Sequence, residues 1–343
     1  MTHVVYLSRG HGHGHVATDV RVVAALRSRG ATVELASYGS GLDYCVRRGV
    51  TCADLGIDDL HDQGPAAAVR IMAYLRSRRD ADVVVAHEVF AAPSLCASLG
   101  PPCALLTHWF FAEIGAPDRD RLLAGADPLV LLDFAAAHTV PAELSGRVRF
   151  TGPVVEPPTY DRVEARRLLG IPPDEFVAVV TTGAVTAYNR AQVDAVVGLA
   201  RAAWPIHADR PGRLVVLSGE TSVRDPAPYH RAADVVIANA TFGTMSALAA
   251  AGVPTVAVTG GRNPVDRLHA DHFARLGLVT VVGADHPVAD VRRAVRDATA
   301  GDPAGLGWAT PDDVAALILA ASPRPAKRSP RAHPATTPPG RHP

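Results

Sequence analysis

Lysine is almost missing from this chain. Among 343 residues with 34 lysine and arginine side chains, Lys327 is the only lysine, and it lies in the C-terminal tail. No upstream lysine exists to form a Schiff base with pyridoxal phosphate or to complete a GxxxxGK[ST] phosphate loop, which excludes both enzyme classes. Aromatic residues are also scarce, at 5% against 48% hydrophobic residues overall, so the core must be built from Ala, Val and Leu, as in α/β proteins. Formal net charge is zero and no basic stripe is visible, so a nucleic-acid partner is not expected. The four cysteines, Cys45, Cys52, Cys96 and Cys103, form no CxxC pair and read as ordinary thiols of a reducing compartment. No apolar run approaches the roughly 20 residues of a membrane span, and no signal-like segment precedes the first apolar strand. A cytoplasmic protein is expected, with peripheral membrane contact left open.

The length predicts two domains of roughly 150 residues. In the first half, short apolar runs alternate with amphipathic stretches: strands at 3–7, 32–37, 82–86, 103–107, 128–132 and 147–150, helices near 15–29, 65–79, 92–100 and 118–125. Continuously apolar strands such as Asp82-Val83-Val84-Val85-Ala86, separated by helices, predict a parallel sheet covered on both faces. Gly152-Pro153-Val154-Val155-Glu156-Pro157-Pro158 reads as a linker, and Asp161 as the cap of a helix to about Leu169. Strands at 176–181, 213–217, 234–238, 254–258 and 279–282 then alternate with helices near 188–203, 243–251, 266–277, 288–299 and 311–321. The expected architecture is α/β, with two Rossmann-like domains (1–153 and 154–322) facing a cleft. The Pro/Arg-rich segment 323–343 is expected to be disordered.

Three constellations carry chemistry. The first follows the opening strand: Ser8-Arg9-Gly10-His11-Gly12-His13-Gly14-His15, running into a helix. Such strand-turn-helix junctions are where α/β proteins bind ligands, glycines allow a tight turn and close approach, and histidine titrates near neutral pH. His15 at the helix entrance can act as a base toward an acceptor hydroxyl, with His11 and His13 touching the acceptor or only shaping the turn. Alternate histidines also suggest a metal, but zinc wants three or four ligands and no HExxH or carboxylate partner is near in sequence, so no metal is expected. The second is Ala240-Thr241-Phe242-Gly243-Thr244-Met245-Ser246 after the strand 234–238, where helix-start N–H groups can hold a diphosphate; an ordinary βα connection reads the same. The third, Thr259 to Asp271, supplies Arg262, Arg267 and Asp266; arginine can neutralise phosphate bidentately, though a solvated loop fits equally. Gly183 and Gly219, each after a strand, could line the same cleft. His108 and Trp109, followed by Phe110 and Phe111, could form an acceptor pocket or simply be core.

Taken together these pieces resemble glycosyltransferases of the GT-B fold. The opening turn is similar to the GHGxGHxxR start shared by many bacterial and archaeal members. It is also similar to the GGTGGH turn of the N-acetylglucosaminyltransferase that makes lipid II. Phe150-Thr151-Gly152-Pro153-Val154 resembles the run that ends the N-terminal domain there, and 234–277 resembles the nucleotide-sugar signature. The resemblance implies an inverting, metal-independent transfer of a hexosyl or N-acetylhexosaminyl group from a nucleoside-diphosphate sugar, UDP- or dTDP-linked, to a small-molecule or lipid-linked acceptor. No other cofactor is implied. His15 takes the role of base; His11, His13, His108 and Trp109 fall on the acceptor side. Gly183, Gly219, Phe242, Gly243, Thr244, Ser246, Arg262 and Asp266 fall on the donor side.

Departures from the family pattern cluster on that donor side. Ala247 stands where the family has a ribose-binding glutamate, Asp266 where it has glutamine, His269 in its Asn-Ala pair, and Thr241 at the first glycine; in the opening turn, Thr18 replaces an arginine. A nucleotide-sugar hydrolase or epimerase of the same fold, or a degenerate homologue acting as a partner protein, are the alternatives.

Overall fold

The structure, a computed structural model, describes residues 1–58, 61–109, 123, 125–183, 185, 189–207, 211–221, 223, 225–260 and 264–321. It contains two all-parallel sheets. The first is built from β1 (His3–Ser8), β2 (Thr32–Ser37), β3 (Ala53–Asp54), β4 (Val83–His87), β5 (Cys103–Thr107), β6 (Ala126–Leu131) and β7 (Val148–Phe150), in the order β3-β2-β1-β4-β5-β6-β7. The second comprises β8 (Phe176–Thr181), β9 (Gly212–Leu217), β10 (Val235–Asn239), β11 (Thr255–Thr259) and β12 (Thr280–Gly283), ordered β12-β11-β10-β8-β9.

Alternation along each strand sends successive side chains to opposite faces, and here both faces are apolar and covered. Val4 and Tyr6 of β1 join Val83 and Val85 of β4 in one core layer, while Val5, Leu7, Val84 and Ala86 join the other. The second sheet divides likewise, with Ala178 and Val180 on one side and Val177 and Val179 on the other. This doubly covered parallel sheet explains why the strands read as unbroken apolar runs.

Helices α1 (Gly14–Ser28), α2 (Gly39–Arg48), α3 (Pro65–Arg76) and α4 (Ala92–Leu99) belong to the first half. They are followed by α5 (Arg162–Leu168), α6 (Arg190–Ala203), α7 (Ala227–Ala232), α8 (Phe242–Ala250), α9 (Pro264–Arg275), α10 (Val288–Asp297) and α11 (Pro311–Ala321). Asp161 caps α5, accepting from the Glu164 amide at 2.7 Å. Three elements are absent from the sequence expectation. Helix α2 opens with Gly-Ser-Gly, poor helix formers; β3 has two residues; α7 has six. The helix expected near 118–125 and the tail 323–343 lie outside the described residues.

The last helix packs on the first half: Val314, Ala315 and Ile318 are fully buried in the same core layer as Val16, Val22 and Leu26 of α1. Arg29 pairs with Asp312 at 3.2 Å. The chain thus crosses between the halves twice at one place. Val154 pairs with Ala309 there, and Gly152 lies so close to the Gly307 carbonyl that no Cβ would fit.

Candidate active site

Strand β1 has its sequence neighbour β2 on one side and β4 on the other, which makes the β1/β4 edge the switch point where open α/β sheets bind ligands. The C-terminal ends of β1, β4 and β5 stand side by side there and deliver the turn to His15, the pair His87-Glu88, and His108-Trp109. Within the turn, a Cβ on Gly10 would fall 2.1 Å from the Tyr38 carbonyl oxygen, and Gly12 has φ +73°. These two glycines are therefore required by close approach and by backbone sign.

Glu88 is the centre of the site. It is wholly buried, and it is the only non-glycine residue with positive φ, +53°, among the described residues. Such a backbone costs on the order of 1–3 kcal/mol and persists only where its surroundings impose it. Around the carboxylate, His15 Nε2 lies 2.9 Å, the Trp109 indole N–H 2.9 Å and Arg9 Nη1 3.3 Å from Oε2. The Thr107 hydroxyl (3.1 Å), the His108 amide (3.3 Å) and His108 Nδ1 (3.1 Å) reach Oε1. Burying an ion costs several kcal/mol unless its hydrogen-bond capacity is filled, and five hydrogen-bond donors fill it here, with the His108 ring beside them. Burial alone would raise the Glu88 pKa, but His108, His15 and Arg9 hold it well below the usual carboxylate range.

The ionised carboxylate fixes the imidazoles. His15 donates its Nε2–H to Glu88, which leaves a lone pair on Nδ1; that atom is buried and has no hydrogen-bond partner among the described residues. Burial pushes the His15 pKa below the ordinary histidine value against the pull of Glu88, so the neutral base form prevails at neutral pH. Burial likewise pushes His108 down to about 3. His87 pairs through Nδ1 with Asp19 at 2.7 Å, and Tyr6 donates to the same carboxylate oxygen at 2.7 Å. Burial would lower the His87 pKa, but Asp19 raises it. Arg9 is anchored by Asp62 at 2.7 Å, which also accepts from Tyr38.

The second half meets this cluster. Phe242, the first residue of α8, stacks on His108 with centroids 4.8 Å apart and planes at 5°. His269 on α9 donates from Nε2 to the His108 carbonyl at 2.9 Å, with Asp133 Oδ2 3.4 Å away. Asp133, just beyond β6, also accepts from His138 at 2.9 Å. Burial opposes its charge, yet His138 and His269 hold it well below the usual range.

Of the residues singled out from sequence, the structure brings His15, His108, Trp109 and Phe242 together. His13 stands one turn away at the start of α1, 2.6 Å from Arg47, and His11 is half-buried in the same turn. The Trp109 indole N–H bonds Glu88 at 2.9 Å, and its ring packs edge-on against Phe90. Gly243 is exposed and Thr244 half-buried in the first turn of α8, where the helix leaves backbone N–H groups unpaired. Ser246 is buried, and its hydroxyl donates back to the Phe242 carbonyl at 2.8 Å. Ala247 is exposed on α8, and Asp266 lies half-buried in the first turn of α9. Gly183 and Gly219 follow β8 and β9; Arg262, Phe110 and Phe111 lie outside the described residues. Sequence reasoning missed Glu88, His87, Asp19, Asp133 and His269. Only the first two carried a signal, being polar residues closing an otherwise apolar strand.

Comparison with solved structures places the fold. The kitacinnamycin glycotransferase superposes with a TM-score of 0.67 at 18% identity, covering 94% of this chain and 99% of that one. MurG of Acinetobacter baumannii gives 0.58 at 16% identity over 93% and 100%. The glycosyltransferase VinC, in complex with dTDP, gives 0.61 at 14% identity over 94% and 99%. No protein-family model matches the sequence, and no curated protein does. The chain therefore has the GT-B fold of these glycosyltransferases. Among its described residues no helix is long and apolar enough to cross a membrane.

Proposed function

We propose that this chain is an inverting glycosyltransferase that carries a sugar from a nucleoside diphosphate to an acceptor hydroxyl, with His15 as the base and Glu88 as the group that orients it. The observation that carries the reading is the 2.9 Å contact between His15 Nε2 and Glu88, because it leaves the Nδ1 lone pair ready to take a proton. The acceptor oxygen, as it loses its proton to His15, attacks the anomeric carbon from the face opposite the leaving diphosphate. The bond to the diphosphate breaks, and its charge passes to the N–H groups of the first turn of α8 around Phe242, Gly243 and Thr244. Arg262 and Asp266 are further donor-side candidates. The first half, with α11, serves the acceptor, and the five-stranded half serves the donor. No step of this sequence requires a metal.

Phe242 stacks on His108, which stacks in turn on His15, so the donor-side helix start lies close to the base. The dTDP held by VinC supports a dTDP- or UDP-sugar donor. Exposed Ala247 supplies no carboxylate to a ribose, which puts more of the donor grip on the diphosphate. A nucleotide-sugar hydrolase would use the same base on water. The test is incubation with a panel of UDP- and dTDP-sugars, with and without hydroxyl acceptors. Acceptor-dependent release of nucleoside diphosphate supports transfer; free sugar at an equal rate without acceptor identifies a hydrolase; no turnover with any donor overturns both.

A further inference from the structure

We propose that His15, His87 and His108 form a site for one divalent transition-metal ion, of which zinc is the type. Each of these histidines has a ring nitrogen within 4.8 Å of a ring nitrogen of both others. The rings come from three different strand-end turns, so no sequence spacing announces them. The expectation that no metal binds rested on the absence of a partner nearby in sequence, and the fold supplies the partners instead.

The hydrogen bonding prepares the rings for coordination. Metal-binding histidines typically donate their second ring N–H to a carboxylate, which fixes the tautomer and leaves the other nitrogen as ligand. Two of the three do so here: His87 Nδ1 lies 2.7 Å from Asp19 and His15 Nε2 2.9 Å from Glu88, while His108 faces the same Glu88 carboxylate with its Nδ1 3.1 Å away. The nitrogens that do not face a carboxylate are His87 Nε2, His15 Nδ1 and His108 Nε2. Of these, His87 Nε2 and His15 Nδ1 are buried with no hydrogen-bond partner among the described residues, a costly state for a polar atom unless something occupies it. Charge agrees. Arg9 is offset by Asp62, so Glu88 and Asp19 remain as two negative charges beside three imidazoles, matching a dication. Three imidazoles with an open fourth position suit zinc and its neighbours, not calcium or magnesium. A tetrahedral zinc ion sets its nitrogens about 3.3 Å apart, so binding requires the three rings to draw inward.

The inference stands independently of the transferase reading. If both hold, the metal takes the lone pair on His15 that would take the acceptor proton, so loading and base action exclude each other. The test is titration of the chelator-treated full chain with Zn2+ against a chromophoric competitor, and with Co2+ by visible absorption. One ion per chain is expected, with the intense Co2+ absorption of a four-coordinate site. His87→Gln and His108→Gln, each checked for folding by circular dichroism, should abolish that stoichiometric binding. Asp19→Asn should weaken it about 10- to 100-fold, while His11→Gln with His13→Gln leaves it unchanged. Absence of stoichiometric binding in the unaltered chain overturns the proposal. So does binding that survives in whichever of the two histidine variants folds.

Discussion

At the residue scale the account rests on the carboxylate–imidazole pair. His15→Ala should lower kcat by about 10²–10⁴-fold while nucleotide affinity stays within error, measured by steady-state kinetics beside calorimetry. Glu88→Gln keeps the shape but not the charge, so it should reduce kcat in the same direction. It should also destabilise the fold, since removing one partner of a buried ion pair costs about 3–5 kcal/mol; denaturant melts would read that. Burial lowers the His15 pKa, so the base is already deprotonated at pH 7. The acid limb of kcat/KM should therefore lie below the ordinary histidine value of about 6.5 and the rate should be flat above it. A limb centred above pH 7 would contradict the assignment. His15 was legible in the sequence because a glycine turn after an opening strand is a local pattern. Glu88 carried only the signal of a polar residue closing an apolar strand; its importance comes from donors at the ends of β1 and β5 that meet it beside β4 only in the folded sheet.

At the element scale, parallel strands were legible as apolar runs, since burial on both faces removes the polar alternation that would otherwise blur them. The short α2, β3 and α7 were not, having too little length for a period. The destination of α11 was also hidden, because an apolar helix face does not say which core it joins. That destination makes a prediction. Ile318→Ala, at the far end of the chain from α1, should cost about 2–5 kcal/mol and unfold the first half with it, read by hydrogen exchange at β1 and β4. Loss confined to the second half would contradict the packing of α11 on α1.

At the scale of the whole molecule, the two halves are joined by buried groups whose protonation is linked to folding. Asp133, paired with His138 in its own half and with His269 from the other, has a depressed pKa. Its contribution is present above the unfolded value of about 3.9 and is lost as pH falls through the folded value. His230 in α7 is pushed down to about 4 by burial; being a base, it stays neutral when folded while the unfolded chain protonates below about 6.5. Stability should therefore fall progressively from about pH 6.5 to 4, with Asp133 adding to the loss below about 4. His230→Gln should flatten the upper part of that slope in thermal melts across pH.

The GT-B fold was legible from motif order along most of the chain, whereas the closed contact of Phe242 with His108 belongs to the assembled molecule alone. Whether the donor half grips a nucleoside diphosphate decides the functional reading, and calorimetric titration of the full chain with dTDP, UDP and GDP measures it. Gly243 supplies the control, because a Cβ there meets nothing within 4 Å, so Gly243→Val, checked for folding by circular dichroism, is expected to crowd the helix start. The account predicts one-to-one binding of dTDP or UDP, unchanged in His15→Ala and lost in Gly243→Val. Binding of none of the three nucleotides, or equal binding by the Gly243 variant, would contradict it.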